Sequence, residues 1–147
     1  MKKKLLIAKE VFDLNGTREF TKEAASFFHS GDIVLLYGDL GSGKTLITKN
    51  FVSLLGSKAE VSSPSFSIIN QYIGTPVIYH IDLYRLKDEH ELINLGLEDL
   101  YNSPGFIFIE WPEIIENRLS WSHFRIFIEI DPAKSEWRKF SLLHYYE

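Results

Sequence analysis

The sequence predicts an α/β fold, with a mostly parallel central sheet flanked by helices and antiparallel strands at its edges. Three observations carry that expectation. Short, wholly apolar runs at residues 33–37 and 106–109 alternate with segments of helical spacing, as strands buried on both faces do. The first run ends in "YGDLGSGKT" (37–45), a glycine-rich connection between a strand and a helix. No repeat, linker or low-complexity tract interrupts the chain, so residues 1–147 are expected to form a single domain around one core.

Each element follows from its residues. Residues 4–8 (KLLIA) read as a short first strand. Asn15-Gly16 suggests a turn, after which Thr17 is placed to cap a helix through Phe28, with Phe20, Ala24 and Phe27 at helical spacing and Gly31 as its stop. Residues 46–55 form a second helix ended by Gly56. The stretch 60–67 is too rich in hydroxyls, and too interrupted by Pro64, to be a core element. Residues 68–72 and 77–82 read as strands around a turn at Gly74-Thr75-Pro76, and 88–101 as helical with an interruption at Gly96. A buried strand at 106–109 ends at Glu110, and 114–119 reads as a short helix. Two final strands, 124–130 and 140–145, are separated by Asp131-Pro132.

The opening stretch has the spacing G-x-x-x-x-G-K-T at Gly38, Gly43, Lys44 and Thr45. Gly38, Gly41 and Gly43 permit backbone angles closed to other residues, so successive N–H groups can turn toward an anion at a helix start. Lys44 reaches the β- and γ-phosphates, and the Thr45 hydroxyl suits Mg²⁺. The expected nucleotide-binding set is Asp39, Leu40, Gly41, Ser42, Gly43, Lys44, Thr45 and Leu46. Such a loop needs a carboxylate at the end of a neighbouring strand. Asp82 and Glu110 both end apolar runs, which makes them, with Lys44, the candidate catalytic residues and, with Thr45, the candidate metal ligands. The loop around Ser62-Ser63-Pro64-Ser65-Phe66 offers hydroxyls for a switch that senses Mg²⁺ and the γ-phosphate. The five histidines (29, 80, 90, 123 and 144) show no metal-ligand spacing and read as surface or satisfied core residues. Trp111, Trp121 and Trp137 read as packing residues, although Trp111 directly follows a candidate catalytic acid. No Asn-Lys-x-Asp selects guanine, which tilts the base toward adenine.

Composition sets limits. The formal net charge is −4, with lysine and arginine scattered among 20 acids, so autonomous nucleic-acid binding is disfavoured. No apolar run approaches the roughly 20 residues that span a bilayer, and the run at residues 5–8 is too short for a signal-peptide core. The absence of cysteine excludes disulfides and thiolate metal sites and fits a cytoplasmic protein.

Taken together, "GDLGSGKT" (38–45), "SSPSF" (62–66), "HIDLYRL" (80–86), "LGLED" (95–99) and "IEWPE" (109–113) resemble, in order and spacing, the TsaE family of small bacterial P-loop ATPases. The resemblance covers about residues 10–130. It implies an ATP- and Mg²⁺-dependent accessory protein for threonylcarbamoyladenosine formation in tRNA, acting on the partners TsaB and TsaD and meeting tRNA only through them. TsaD carries the transfer; the ATPase supports turnover of the complex. By this similarity Lys44 and Thr45 bind phosphate and Mg²⁺, Asp82 is the acid of the "DLYRL" strand, and Glu110 is a Mg²⁺ ligand. Ser65 takes the place of the threonine in the family's "SPTF", which keeps the switch oxygen and loses a methyl group. The competing readings are a small-molecule kinase, which would need an arginine-bearing lid where Arg85, Arg118, Arg125 and Arg138 are well separated, and a non-hydrolysing ATP-binding module. The segment 84–101 is the candidate surface for partner contact.

Overall fold

The computed structural model describes residues 1–56, 68–73 and 76–147. In chain order the elements are β1 (Lys2–Val11), α1 (Leu14–Ala25), β2 (Ile33–Tyr37), α2 (Lys44–Leu54), β3 (Ile69–Tyr72), β4 (Ile78–Asp82), α3 (Glu89–Ile93), α4 (Leu97–Tyr101), β5 (Phe106–Glu110), β6 (His123–Asp131) and β7 (Lys134–Tyr146). All seven strands join one sheet in the order β1-β7-β6-β2-β5-β4-β3.

The sheet is mixed, and antiparallel pairing is more extensive than the sequence suggests. β2 runs parallel to β5 and β6, and β4 runs parallel to β5. The β1–β7, β6–β7 and β3–β4 pairs are antiparallel, and the first two form the longest ladders. The sequence hides this because β1 is ten residues long and opens on three exposed lysines, which mask its apolar pattern. Lysines suit its place at the sheet edge, where charge discourages pairing with another chain. Likewise β6 and β7 extend to a tight hairpin closed by Asp131↔Lys134, with Pro132 and Ala133 as its tip.

The central strands bury both faces, and side-chain alternation sorts them. Val34, Leu36, Phe106 and Phe108 pack with Phe20, Ala24, Ile47, Phe51 and Val52 of α1 and α2. Ile33, Leu35, Ile107 and Ile109 point the other way, toward Leu92, Leu97, Ile115 and Leu119. A period of two with apolar residues at every position thus gives a sheet covered on both sides. On the first face the aromatic rings interlock: Phe51 stacks on Phe108 at 5.0 Å and Phe20 on Phe140 at 4.5 Å.

Two helical boundaries differ from expectation. Asp13, not Thr17, caps α1: its Oδ1 accepts the Gly16 N–H at 2.7 Å, and Asn15-Gly16 lie within the first turn. That earlier start puts Thr17, Phe20, Thr21 and Ala24 on the buried stripe. The helix then ends at Ala25, so Phe28 enters the core, 4.8 Å from Phe124, while Phe27 is left 37% exposed. Residues 114–119 form no α-helix; two short 3₁₀ turns, Pro112–Ile114 and Glu116–Arg118, occupy this stretch. Among the described residues, no helix is long and apolar enough to cross a membrane.

Candidate functional site

Register brings the candidate residues together. Glu110 is paired with Leu36 of β2 on one side and with Asp82 of β4 on the other. Both acids therefore stand at the carboxyl ends of adjacent parallel strands, beside the loop that leaves β2. That loop enters α2 through Gly43, whose φ of 108° and ψ of 22° lie in the left-handed region where a side chain is strained. Gly43 brings no side-chain cap, so the first N–H groups of α2 have no side-chain acceptor at the cap and their partial positive charge is directed outward.

The result is a cleft of about 260 Å³ lined by Asp39, Leu40, Gly41, Ser42, Gly43, Lys44, Thr45, Asp82, Glu110 and Trp111. Every residue expected there from sequence is present except two. Leu46 lines a smaller cavity of about 110 Å³ across the loop, walled also by Leu14, Thr17, Arg138 and Phe140. Ser65 and its neighbours in "SSPSF" lie outside the described residues.

Lys44 is the electrostatic centre. Its ammonium donates to the Gly38 carbonyl and, at 3.3 Å, to that of Asp39, and sits 3.9 Å from the centre of the Trp111 ring. Burial pushes the ammonium below the usual lysine range, opposed by Glu110, Asp82, Glu113 and Asp39. Asp82 is shifted the other way. Burial raises its carboxyl above the ordinary range and the charge of Glu110 adds to this, while the Tyr84 N–H, 3.0 Å from Oδ1, opposes it. Glu110 is almost fully buried and shares a hydrogen bond with His80 Nε2. Thus two carboxylates and one ammonium face a helix N-terminus in a single cleft, an arrangement that can hold a polyanion together with a hard cation.

Three supporting contacts escaped the sequence reading. Trp111 is the one non-glycine among the described residues with a positive φ, 56°, and this turn lays its ring over Lys44 and 4.9 Å from that of Tyr84. Its position after Glu110 was the only signal of this. Arg138 of β7 donates from Nε to the Ser42 carbonyl at 2.9 Å, tying the loop to a strand 96 residues away; no local pattern could reveal that. His80 is the third. Expected as a surface or satisfied core residue, it is fully buried and meets Glu110 through Nε2, while its Nδ1 has no hydrogen-bond partner among the described residues.

The larger cavity lies elsewhere. About 500 Å³ opens between α3, α4 and the second 3₁₀ turn, lined by Leu92, Leu97, Tyr101, Ile115, Leu119 and Trp121. Size alone favours it. Its charged walls, Glu98, Asp99 and Arg118, are joined by neither a glycine-rich loop nor the carboxyl ends of the parallel strands, which meet in the smaller cleft, so that cleft is the stronger candidate. The segment 84–101, nominated for partner contact, contributes several of its walls.

Comparison with known proteins agrees on one family. The family model described as threonylcarbamoyl adenosine biosynthesis protein TsaE matches residues 11–140. The tRNA threonylcarbamoyladenosine biosynthesis protein TsaE of Bacillus subtilis (strain 168) is 40% identical over 114 residues, which is 77% of this chain and 71% of that protein. Its namesake in Rickettsia felis is 37% identical over 116 residues, 78% of this chain and 67% of the relative. The crystal structure of Bacillus subtilis YdiB superposes with a TM-score of 0.76 at 30% identity, covering 97% of this chain and 87% of that one. A cleft that gathers Lys44, Asp82 and Glu110, and a match spanning nearly all of the chain, lead to one conclusion: the chain belongs to the TsaE family, whose role is in the biosynthesis of threonylcarbamoyladenosine in tRNA.

Proposed function

We propose that this protein is a P-loop ATPase of one domain that binds ATP with Mg²⁺ in the cleft at Lys44, hydrolyses it, and by that cycle acts on a TsaB–TsaD complex during threonylcarbamoyladenosine formation. The observation that carries the reading is the in-register pair Asp82–Glu110 beside the Lys44 ammonium and the open N-terminus of α2. Loop N–H groups and Lys44 would hold the β- and γ-phosphates.

The donor set fits Mg²⁺. Thr45, Asp82 and Glu110 offer only hard oxygen atoms, and among the described residues no group of three or more His, Cys, Asp or Glu converges as a complete metal cage. Mg²⁺ prefers that situation: one or two carboxylates, with phosphate oxygens and water completing its shell. When bound, the ion would supply charge neutralisation across the phosphates. Asp82, its carboxyl raised by burial, would gain a counter-charge there. The apolar walls of the adjoining cavity, Leu14, Leu46 and Phe140, suit a purine ring.

Low intrinsic turnover is part of this proposal. Lys44 is already engaged by two carbonyls of its own loop and covered by Trp111, so nucleotide must displace these contacts before Lys44 can serve the phosphates. Ser65 remains the proposed γ-phosphate sensor. A net charge of −4 leaves contact with tRNA to the partners, and the cytoplasm is the proposed site of action.

The test is Mg²⁺-dependent ATP hydrolysis by the purified chain, alone and with its cognate TsaB and TsaD, with Lys44→Ala as the blank. The expected result is release of ADP and phosphate that rises sharply with both partners. Activity indifferent to the partners, or absent from every mixture, would end the proposal.

A further inference from the structure

We infer that His80 is a positioning residue for Glu110, fixing through its Nε2 one oxygen of the carboxylate and so orienting the side chain that faces the cleft. The inference rests on reading the cleft as a Mg²⁺–nucleotide site.

Strand geometry makes the contact. His80 and Asp82 are two apart on β4 and share a face; Phe108 and Glu110 do the same on β5. His80 is in register with Phe108, and Asp82 with Glu110, so His80 meets Glu110 diagonally across the parallel pair. Its Nε2 lies within hydrogen-bonding distance of Glu110 Oε2. Neither side chain has room to wander, since His80 is fully buried and Glu110 is 3% exposed. The ring is flanked by that of Tyr72, with centroids 6.4 Å apart.

The hydrogen-bond inventory fixes the role. A carboxylate only accepts, so Nε2 carries the proton and donates. Nδ1, the other ring nitrogen, is buried with no partner among the described residues. Burying an unsatisfied polar atom is unfavourable, so an aliphatic side chain would serve packing alone better. What histidine adds at this position is the donor to Glu110. One carboxylate oxygen is thereby committed to the imidazole, and the other is available to the cleft. Asp82 receives its own fixing bond, from the Tyr84 N–H, so the two acids are held by independent donors. Where a metal ligand is oriented this way, losing the outer partner costs about 10- to 100-fold in metal affinity.

The test uses the full chain and a readout independent of turnover: the affinity for a fluorescent ADP, titrated over Mg²⁺ concentration and repeated in EDTA. His80→Leu is expected to raise the half-saturating Mg²⁺ by about 10-fold or more, while leaving the affinity in EDTA unchanged. His80→Gln, whose amide nitrogen stands near the position of Nε2, is expected to restore the Mg²⁺ requirement to within about threefold of wild type. Thermal unfolding confirms that the variants are folded. If His80→Leu does not fold, His80→Asn, too short to reach Glu110, takes its place with the same expectation. An unchanged Mg²⁺ requirement in the folded variant, or an equal shift in the Leu and Gln proteins, would overturn the inference. Glu110→Gln separates the two levels. If it raises the Mg²⁺ requirement and His80→Leu does not, only the role of His80 falls. If Glu110→Gln changes nothing, the metal reading of the cleft falls and takes this inference with it.

Discussion

Replacing Lys44 by methionine removes the cation while keeping an unbranched stem of similar length beneath Trp111, so packing is disturbed less than by alanine. In the free protein the ammonium donates to the carbonyls of Gly38 and Asp39. On binding nucleotide it would exchange these for two phosphate oxygens. Charge-assisted hydrogen bonds contribute about 1.5–3 kcal/mol each, so the phosphate contacts amount to about 3–6 kcal/mol. The surrendered carbonyl bonds, one of them long at 3.3 Å, offset about 1 kcal/mol each. The net is about 1–4 kcal/mol, or a loss of about 5- to 700-fold in ATP affinity at 1.4 kcal/mol per decade. The four acids that now pull on the ammonium, Glu110, Asp82, Glu113 and Asp39, add repulsion once it is gone, so the upper part of the range is expected. Isothermal titration of ATP with Mg²⁺ into both proteins measures the difference. Affinity within about threefold of wild type, in a variant of unchanged thermal stability, would refute the placement of phosphate at Lys44.

Two further predictions address the scaffold. Gly105→Ala would place a Cβ 2.3 Å from the Val77 carbonyl oxygen at a φ of 112°, and that carbonyl accepts the Phe106 N–H that starts β5 beside β4; the clash and backbone strain together are expected to cost about 3 kcal/mol or more, a Tm drop on the order of 10 °C, and an unchanged melting curve would contradict the geometry. Burial lowers the pKa of His123, whose Nδ1 donates to the Trp121 carbonyl and whose Nε2 accepts from Arg125, each at 3.0 Å. Below the ordinary histidine value of 6.5 the unfolded chain therefore takes up a proton that the folded one refuses, so this group costs no stability above that pH and an increasing amount as pH falls below it. Thermal melts of wild type and His123→Gln as a function of pH should diverge on the acid side, wild type falling faster; parallel curves would contradict the shift.

What the sequence made legible was what is local. The spacing of Gly38, Gly43, Lys44 and Thr45 fixes a loop and a helix start within eight residues, and apolar runs that stop at Asp82 and Glu110 announce two strand ends. Strand neighbours and register are long-range, so the pairing of Asp82 with Glu110 could be hoped for but not read. The same limit hid the extent of the antiparallel half. β1 signals itself weakly because its lysines are solvated at an edge, and β7 because its first residues, Lys134, Ser135 and Glu136, are exposed. The displaced cap of α1 lies with Asp13, whose carboxylate accepts the Gly16 N–H, while Thr17 is buried inside the helix. Trp111 over Lys44 depends on a backbone angle that tryptophan rarely adopts, and residue type gives no warning of it.

The pairing of β1 along β7, from Lys2↔Tyr146 to Val11↔Arg138, bears on how the protein comes into being. β7 is synthesised after every element it anchors. While the chain emerges from the ribosome, β1 has no ladder to join, α1 lacks the Phe140 ring on which Phe20 stacks, and the glycine-rich loop lacks its tether from Arg138 to Ser42. Closing contacts across nearly the whole sequence is slow compared with local helix formation, because the entropy of the intervening chain is lost before the ladder repays it. A nascent chain halted before residue 134 would therefore hold the glycine-rich loop in full and still lack the strand that secures it. The loop is thus secured only once the last strand is in place.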